Sequence, residues 1–202
     1  MHVADGGEVS GHHAKVDWPT NQKDIERKIL RFFIRDFEKS GAIFIEIEDG
    51  GTEELDFLLT LPGGKVHLEL MEAVVPSPKE IPFQSGHGRF EPIPYADVVF
   101  RGIAKKIAKY GLKHEVPIDL LVYVTHQQYN PNEAALNVLR RYLNEAEHPF
   151  QHVFFLIPHT EDFSTLRVLF NWKFPSDPPP LAELAKSSWF NLVSSEGKIV
   201  HQ

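Results

Sequence analysis

Two acidic residues stand on neighbouring strands of a predicted hairpin, in the stretch ELDFLLTLPGGKVHLELME at 54–72. Asp56 falls on the first strand and Glu69 on the second. Apolar residues recur at every second position of both strands, which assigns them to the core side of a sheet and the other residues to its second face. That second face carries Asp56, Thr60, His67, Glu69 and Met71.

The pairing of the two strands sets the distance between the carboxylates. With the two glycines of PGGK as a two-residue turn, Asp56 opposes Met71 and Leu58 opposes Glu69. Asp56 and Glu69 are then diagonal neighbours, about 5–8 Å apart at Cβ. Carboxylates at this spacing can share a hard divalent cation, Mg²⁺ or Mn²⁺. The alternative is that both belong to the solvated side of a half-exposed sheet.

Histidines offer a second kind of site. His67 lies two residues before Glu69 on the same predicted face, and a His beside carboxylates suits a transition metal. The alternative for His67 is a hydrogen bond to Thr60 across the hairpin. Further along, His87 in the loop sequence SGHGRF could contact a phosphate.

A helix should precede the hairpin and position a third carboxylate. Asn21 is placed to cap it, and apolar residues at 25, 29, 32 and 33 form a buried stripe. Gly41 is placed to end it. Glu26 lies at the edge of the stripe, where it could reach a site over the adjoining sheet or remain a surface carboxylate.

A second helix should follow the hairpin, from about residue 95 to residue 110. Basic residues recur on one side of it at four-residue intervals. This stripe could bind phosphate beside the acidic pair, or it could be a solvated face. It consists of Arg101, Lys105 and Lys109, with Lys106 and Lys113 nearby.

The remaining pattern completes a mixed α/β fold. A third helix capped by Asn130 runs to about residue 146, and a short helix is predicted after the proline-rich run PSDPPP. The order α–β–β–β–α–β–α–β–β predicts a mixed sheet flanked by helices. We predict a flexible segment at 1–20, one domain at 21–174, and a linker and tail at 175–202. Strands are predicted at 42–48, 55–61, 66–74, 118–125, 152–158 and 166–172, and the short helix at 181–193.

Composition limits the classes of function. The chain has 202 residues and a net charge of −7. It has no cysteine, and this excludes disulfides and thiolate-bound zinc. The negative net charge argues against a protein that binds nucleic acid over its whole surface. It is compatible with nucleic-acid binding at a local basic stripe. No apolar run approaches the ~20 residues that cross a bilayer, so a cytoplasmic protein without membrane contact is expected.

The order α–β–β–β–α–β over about residues 22–125, with Asp56 on the second strand and Glu69-Leu70-Met71 on the third, resembles the PD-(D/E)xK nuclease superfamily. The resemblance implies a restriction-endonuclease-like αβββαβ core, extended here by a C-terminal helix and strands. It implies that Asp56 and Glu69 bind Mg²⁺ or Mn²⁺, with Glu26 as a further ligand. Met71 departs from the pattern, because it stands where the superfamily has a lysine that helps to activate water.

Two explanations of Met71 remain open. The lysine role has moved to the second helix, with Lys105 and Lys109 as candidates, or the chain keeps the fold without the chemistry. In the first case the protein is a metal-dependent nuclease with Asp56, Glu69 and Lys105 as catalytic residues, and Arg101, Lys105 and Lys109 on substrate phosphates. In the second it is a module that binds protein or nucleic acid, and an unrelated binding protein is a third class. A homodimer is among the assemblies left open.

Overall fold

The computed structural model describes residues 2–3, 9–10, 16–50, 55–73, 89–112, 115–126, 129–174, 177–186 and 189–190. Within these ranges the chain forms helices and strands in the predicted order, with short additional strands near both ends and between the third predicted strand and the second helix. The helices are α1 (Gln22–Glu38), α2 (Pro92–Tyr110), α3 (Glu133–Glu145) and α4 (Leu181–Leu184). The strands are β1 (His2–Val3), β2 (Val9–Ser10), β3 (Glu46–Asp49), β4 (Phe57–Leu61), β5 (Gly64–Glu72), β6 (Arg89–Phe90), β7 (Ile118–Tyr123), β8 (Phe150–Pro158), β9 (Ser164–Asn171) and β10 (Trp189–Phe190).

Six strands form one mixed sheet in the order β3-β4-β5-β7-β8-β9. Strands β5, β7 and β8 are parallel to one another, and the outer strands pair antiparallel. The short strands form two further pairs, β1 with β2 and β6 with β10. The predicted mixed α/β sheet flanked by helices is therefore confirmed.

Each face of the sheet is covered by different helices. One core cluster joins α1 to β4, β5, β7 and β8, and the other joins α2 and α3 to the opposite side of β5, β7 and β8 and to β9. Since β5 and β7 are parallel, α2 runs back between them as a crossover helix, antiparallel to β5. Glu69 and Met71 of β5 lie on the α2 side.

The hairpin has a different register from the predicted one. Leu61 pairs with Gly64 and Phe57 with Leu68, so the turn is Pro62-Gly63 and the predicted pairing is wrong by two residues. The reason is turn chemistry, because proline suits the first central position and Gly64 adopts a positive φ of 128° as β5 begins. A shift of two preserves the alternation of faces.

The start of β4 also departs from the predicted alternation. Leu55 belongs to the core cluster on the α2 side, whereas Phe57 belongs to the cluster on the α1 side. The chain has therefore left the pleat before β4 begins. Asp56 lies between these two residues and outside the strand ladder.

Several element boundaries differ from the predicted ones. The cap of α3 is Asn132, whose side chain accepts a hydrogen bond from Ala135 N at 2.8 Å, and not Asn130. Helix α2 begins at Pro92, because proline is already compatible with a first helical turn. Strand β3 begins at Glu46, so the isoleucines at 43 and 45 precede it and are exposed.

The predicted helix at 181–193 is wrong beyond its first turn. Helix α4 ends at Leu184, and Trp189–Phe190 forms β10 with β6. In the part of the chain that the structure describes, no helix is long and apolar enough to span a bilayer. The division at residues 20 and 174 stays a prediction.

Candidate active site

Asp56 and Glu69 meet where the β4–β5 ladder ends. Glu69 is 1% exposed and pairs in register with Leu120 of β7. Asp56 immediately precedes Phe57, whose partner is Leu68, so Asp56 stands beside Glu69. The Asp56 Oδ2 atom accepts a hydrogen bond from Leu70 N at 2.7 Å. The carboxylate thus takes the place of a strand carbonyl at the end of the ladder.

Gly50 allows the chain after β3 to pass close to the segment that carries Asp56. Its N–H donates to the Asp56 carbonyl at 2.8 Å. A Cβ at position 50 would lie 1.6 Å from the Leu55 carbonyl oxygen, a distance that no side chain tolerates. Glycine is therefore required where β3 passes the start of β4.

Lys106 of α2 supplies the positive charge at this site. Its Nζ atom donates to Glu69 Oε1, and Glu69 is buried while Lys106 keeps 27% of its side chain exposed. The predicted candidate Lys105 points away, because its side chain is exposed and consecutive helical residues differ by about 100° in direction. The structure therefore places Lys106, and not Lys105, against Glu69.

Met71 packs beneath the same side of α2. A Cβ at Gly102 would lie 3.0 Å from the Met71 Sδ atom, so the helix approaches this residue closely. Four helical residues separate Gly102 from Lys106, about 6 Å, and two strand residues separate Met71 from Glu69, about 6.6 Å. Because α2 runs antiparallel to β5, the two spacings match, and the lysine and the thioether occupy successive positions above the strand.

The electrostatics of Asp56 reflect its crowded surroundings. Burial raises its pKa to about 6, and the neighbouring charge of Glu69 acts in the same direction. The hydrogen bond from Leu70 N opposes this rise, and Lys106 opposes it weakly, while Glu26 adds to it. Two close carboxylates and one ammonium group therefore leave an excess of negative charge.

Glu26 acts on the site through its field. It accepts a hydrogen bond from Gln22 Nε2 at 3.0 Å, and the same amide donates to the Tyr123 hydroxyl at 3.2 Å. Across the described ranges, no three His, Asp, Glu or Cys side chains are grouped so that they could hold a metal ion. Glu26 is therefore not assembled with Asp56 and Glu69 into a three-carboxylate cluster.

The predicted basic stripe lies on the exposed side of α2. Arg101, Lys105 and Lys109 are all exposed. The Arg101 Nε atom donates to the Asp97 carbonyl at 3.4 Å, within its own helix. The stripe is turned outward from Lys106 and is not in contact with the two carboxylates.

Tyr110 is a site residue that the sequence pattern did not reveal. Its phenol makes a hydrogen bond with the Glu69 carboxylate, and Lys109 Nζ donates to the phenol oxygen at 2.6 Å. Burial, followed by the bond to Glu69 and its charge, raises the Tyr110 pKa. Once Lys106 is known to face Glu69, helical spacing places Tyr110 on the same side of α2, four residues later.

His67 does not make the predicted hydrogen bond. Within the described chain, the His67 Nδ1 atom and the Thr60 Oγ1 atom are both buried without a hydrogen-bond partner. The observed register explains this, because His67 opposes Leu58 and Thr60 opposes Lys65. His87 lies outside the described residues.

The donor set at Asp56 and Glu69 fits a hard divalent cation. Glu69 Oε2 is buried and has no hydrogen-bond partner among the described residues. Burial, and then the charge of Glu69, raise the pKa of Asp56, and positive charge placed beside the two carboxylates would favour their ionised forms. Mg²⁺ commonly takes one or two carboxylates and keeps several waters, so two side chains suffice.

Known proteins share little detectable similarity with this chain. No protein-family model and no curated protein matches the chain. The solved structure of Pyrococcus furiosus SfsA in complex with Ca²⁺ is similar, with 14% sequence identity and a TM-score of 0.29. The match covers 72% of this chain and 61% of the SfsA chain, less than two thirds of the length of SfsA. A likeness at this TM-score supports no conclusion about function.

Proposed function

We propose that the protein hydrolyses phosphodiester bonds in nucleic acid with the help of Mg²⁺ or Mn²⁺, on a restriction-endonuclease-like core. One observation carries the proposal: Lys106 contacts Glu69 beside Asp56. The position two residues after Glu69 is filled by Met71, and the cation comes instead from the helix above it. This supports the first explanation of Met71, in which the lysine role has moved, with Lys106 in place of Lys105.

Each residue has a distinct task in the proposed site. Asp56 and Glu69 would hold the cation, with Glu69 Oε1 on Lys106 and Oε2 left for the metal. A bound divalent cation lowers the pKa of a coordinated water and neutralises charge that develops on phosphate oxygens. Lys106 places a second positive charge beside the same carboxylate, where it favours an anionic substrate group. Glu26 contributes negative potential that strengthens cation binding.

The outward stripe of α2 would hold the nucleic-acid backbone. Arg101, Lys105 and Lys109 are exposed on the helix that carries Lys106, so phosphates along a strand could contact them while one phosphate lies at Glu69. The net charge of −7 makes a local contact of this kind more favourable than an extended one.

The test is cleavage of single- and double-stranded DNA and RNA with Mn²⁺, by the wild-type protein and by Glu69→Gln and Lys106→Met. We expect both substitutions to lower the rate at least ~100-fold, the scale of a lost general acid–base or electrostatic group. Lys39→Met is a matched control, because Lys39 pairs with Asp36 at the C-terminal end of α1 and not with a residue of the candidate site. Equal background rates in all four proteins would sink the nuclease proposal.

A second candidate is a non-catalytic module that binds nucleic acid or protein on the same fold. The observation that favours it is the ion pair itself, since the Lys106 ammonium group already compensates part of the Glu69 charge without a metal. Nucleic-acid binding that is independent of Mn²⁺, with no cleavage of any substrate, would establish this candidate instead.

A further inference from the structure

Tyr110 contacts the candidate site from the side of α2 that faces β5. Gly102, Lys106 and Tyr110 follow one another at four-residue intervals and therefore share one side of the helix. Gly102 lies against Met71, and both Lys106 and Tyr110 contact the Glu69 carboxylate. Two donors from a single rigid element therefore converge on one buried acceptor.

Lys109 determines the direction of the Tyr110 hydroxyl group. The Lys109 ammonium group donates to the phenol oxygen at 2.6 Å and lies 4.6 Å from the centre of the ring. Since an ammonium group can only donate, the phenol hydrogen is left to point elsewhere, and the Glu69 carboxylate is the acceptor that it meets.

We propose that Tyr110 is a positioning residue that fixes the orientation of the Glu69 carboxylate, and that Lys109 acts through Tyr110 by orienting its hydroxyl. The inference rests on the proposed function, because the orientation of Glu69 matters for a cation that it binds. It assigns Lys109 a task other than, or in addition to, contact with substrate phosphate.

The physical reason is rotational freedom of the carboxylate. A single contact with Lys106 on Oε1 leaves the plane of the Glu69 carboxylate free to turn, whereas a second donor from the same helix restricts it. Partners that orient a metal-binding side chain commonly change metal affinity or activity by about 10–100-fold when they are removed.

The first arm of the test measures Mn²⁺ affinity by calorimetry on the full chain. We expect Tyr110→Phe to weaken binding roughly tenfold and Lys109→Ala to weaken it by a smaller factor. Tyr142→Phe is the matched control for the phenol. The Tyr142 hydroxyl donates a hydrogen bond to Asp97 Oδ1 at 2.8 Å and does not contact Asp56 or Glu69. Lys173→Ala is the matched control for the lysine, because Lys173 lies over the ring of Trp172, 5.2 Å from its centre. Both controls should bind Mn²⁺ as the wild type does.

The second arm needs no metal. In protein labelled with ¹³C at tyrosine Cζ, the Tyr110 resonance, assigned by its loss in Tyr110→Phe, should move in Glu69→Gln and in Lys109→Ala while the Tyr142 resonance stays in place. A Tyr110 resonance that ignores both substitutions overturns the inference, and so does an unchanged Mn²⁺ affinity in Tyr110→Phe. If the wild type binds no Mn²⁺ although the resonance moves, the proposed function has failed, the positioning role fails with it, and the contact with Glu69 itself stands.

Discussion

The pKa of Asp56 reflects the surroundings of this carboxylate in the candidate site. Asp56 is partly buried, it stands beside Glu69, and its pKa is raised to about 6 from an ordinary value of 3.8. A group whose pKa is raised on folding binds its proton more tightly in the folded state. The stability that the protonated form provides is present below the unfolded pKa and is lost as the pH rises through the folded pKa.

Asp56→Asn should therefore stabilise the protein at neutral pH. The substitution removes the unfavourable ionised carboxylate and keeps an oxygen that can accept from Leu70 N. With allowance for partial solvent exposure of Asp56, we expect a gain of about 1–2 kcal/mol in the free energy of unfolding above pH ~6. Urea unfolding across pH 4 to 7 measures this. The wild type should lose stability over that range relative to the variant, and parallel curves would refute the account of Asp56.

Lys106→Met should have the opposite effect, because it leaves Glu69 buried without its cation. Loss of one partner of a buried ion pair costs about 3–5 kcal/mol, and the partial exposure of Lys106 points to the lower end of that range. Addition of Mn²⁺ should restore more thermal stability to this variant than to the wild type, since the metal then compensates Glu69 alone. An Mn²⁺ effect of equal size in both proteins, measured by calorimetric unfolding, would contradict the view that Lys106 and the metal both compensate the charge of Glu69.

At the scale of elements, the site depends on where β3, β4 and α2 pass one another. The apolar alternation predicted that Asp56 and Glu69 would be neighbours, and they are. The register could not be read from alternation alone, because a shift of two residues preserves the faces and changes only the partners. The contact of Lys106 with Glu69 depends on the rotation of α2 about its axis, which the close approach of Gly102 to Met71 fixes and which no local pattern encodes.

Gly50→Ala tests the contact between β3 and the start of β4. The added Cβ would meet the Leu55 carbonyl oxygen at 1.6 Å, so the segment that carries Asp56 must move. We expect a loss of at least ~2 kcal/mol in stability, together with weaker Mn²⁺ binding. Gly63→Ala in the hairpin turn is the matched control, since a Cβ there meets no atom within 4 Å. Equal stability of the two variants would show that the β3–β4 contact does not position Asp56.

At the scale of the whole molecule, the proposed binding of nucleic acid must be compatible with a negative net charge. The chain carries a net charge of −7, and Arg101, Lys105 and Lys109 form an exposed basic stripe on α2. The mixed α/β sheet and the αβββαβ order follow from the sequence pattern, because periodicity and turn residues are local signals. The contacts of Lys106 and Tyr110 with Glu69 do not follow from that pattern, because they depend on how α2 is oriented across the sheet. The cytoplasmic location stays a prediction, and a homodimer stays one of the open assemblies.

Binding to nucleic acid should depend on salt only modestly. Each neutralised phosphate contributes about 0.7–0.9 to the slope of log affinity against log salt, so three cations give a slope of about −2 to −3. Fluorescence anisotropy with labelled single- and double-stranded DNA over a salt series measures it. Replacement of Arg101, Lys105 and Lys109 by alanine should remove most of this dependence. A slope that the triple replacement leaves unchanged would place the nucleic acid on another surface.

The most direct measurement is anomalous scattering from crystals grown with Mn²⁺, recorded near the manganese absorption edge. The proposed site predicts one peak bound by Asp56 and Glu69 Oε2 at about 2.1 Å, with Lys106 still on Glu69 Oε1. The peak should vanish in Glu69→Gln crystals. A map without manganese at Asp56 and Glu69, in which the Lys106 ammonium group is the cation beside Glu69, would contradict the account and leave the fold without its proposed chemistry.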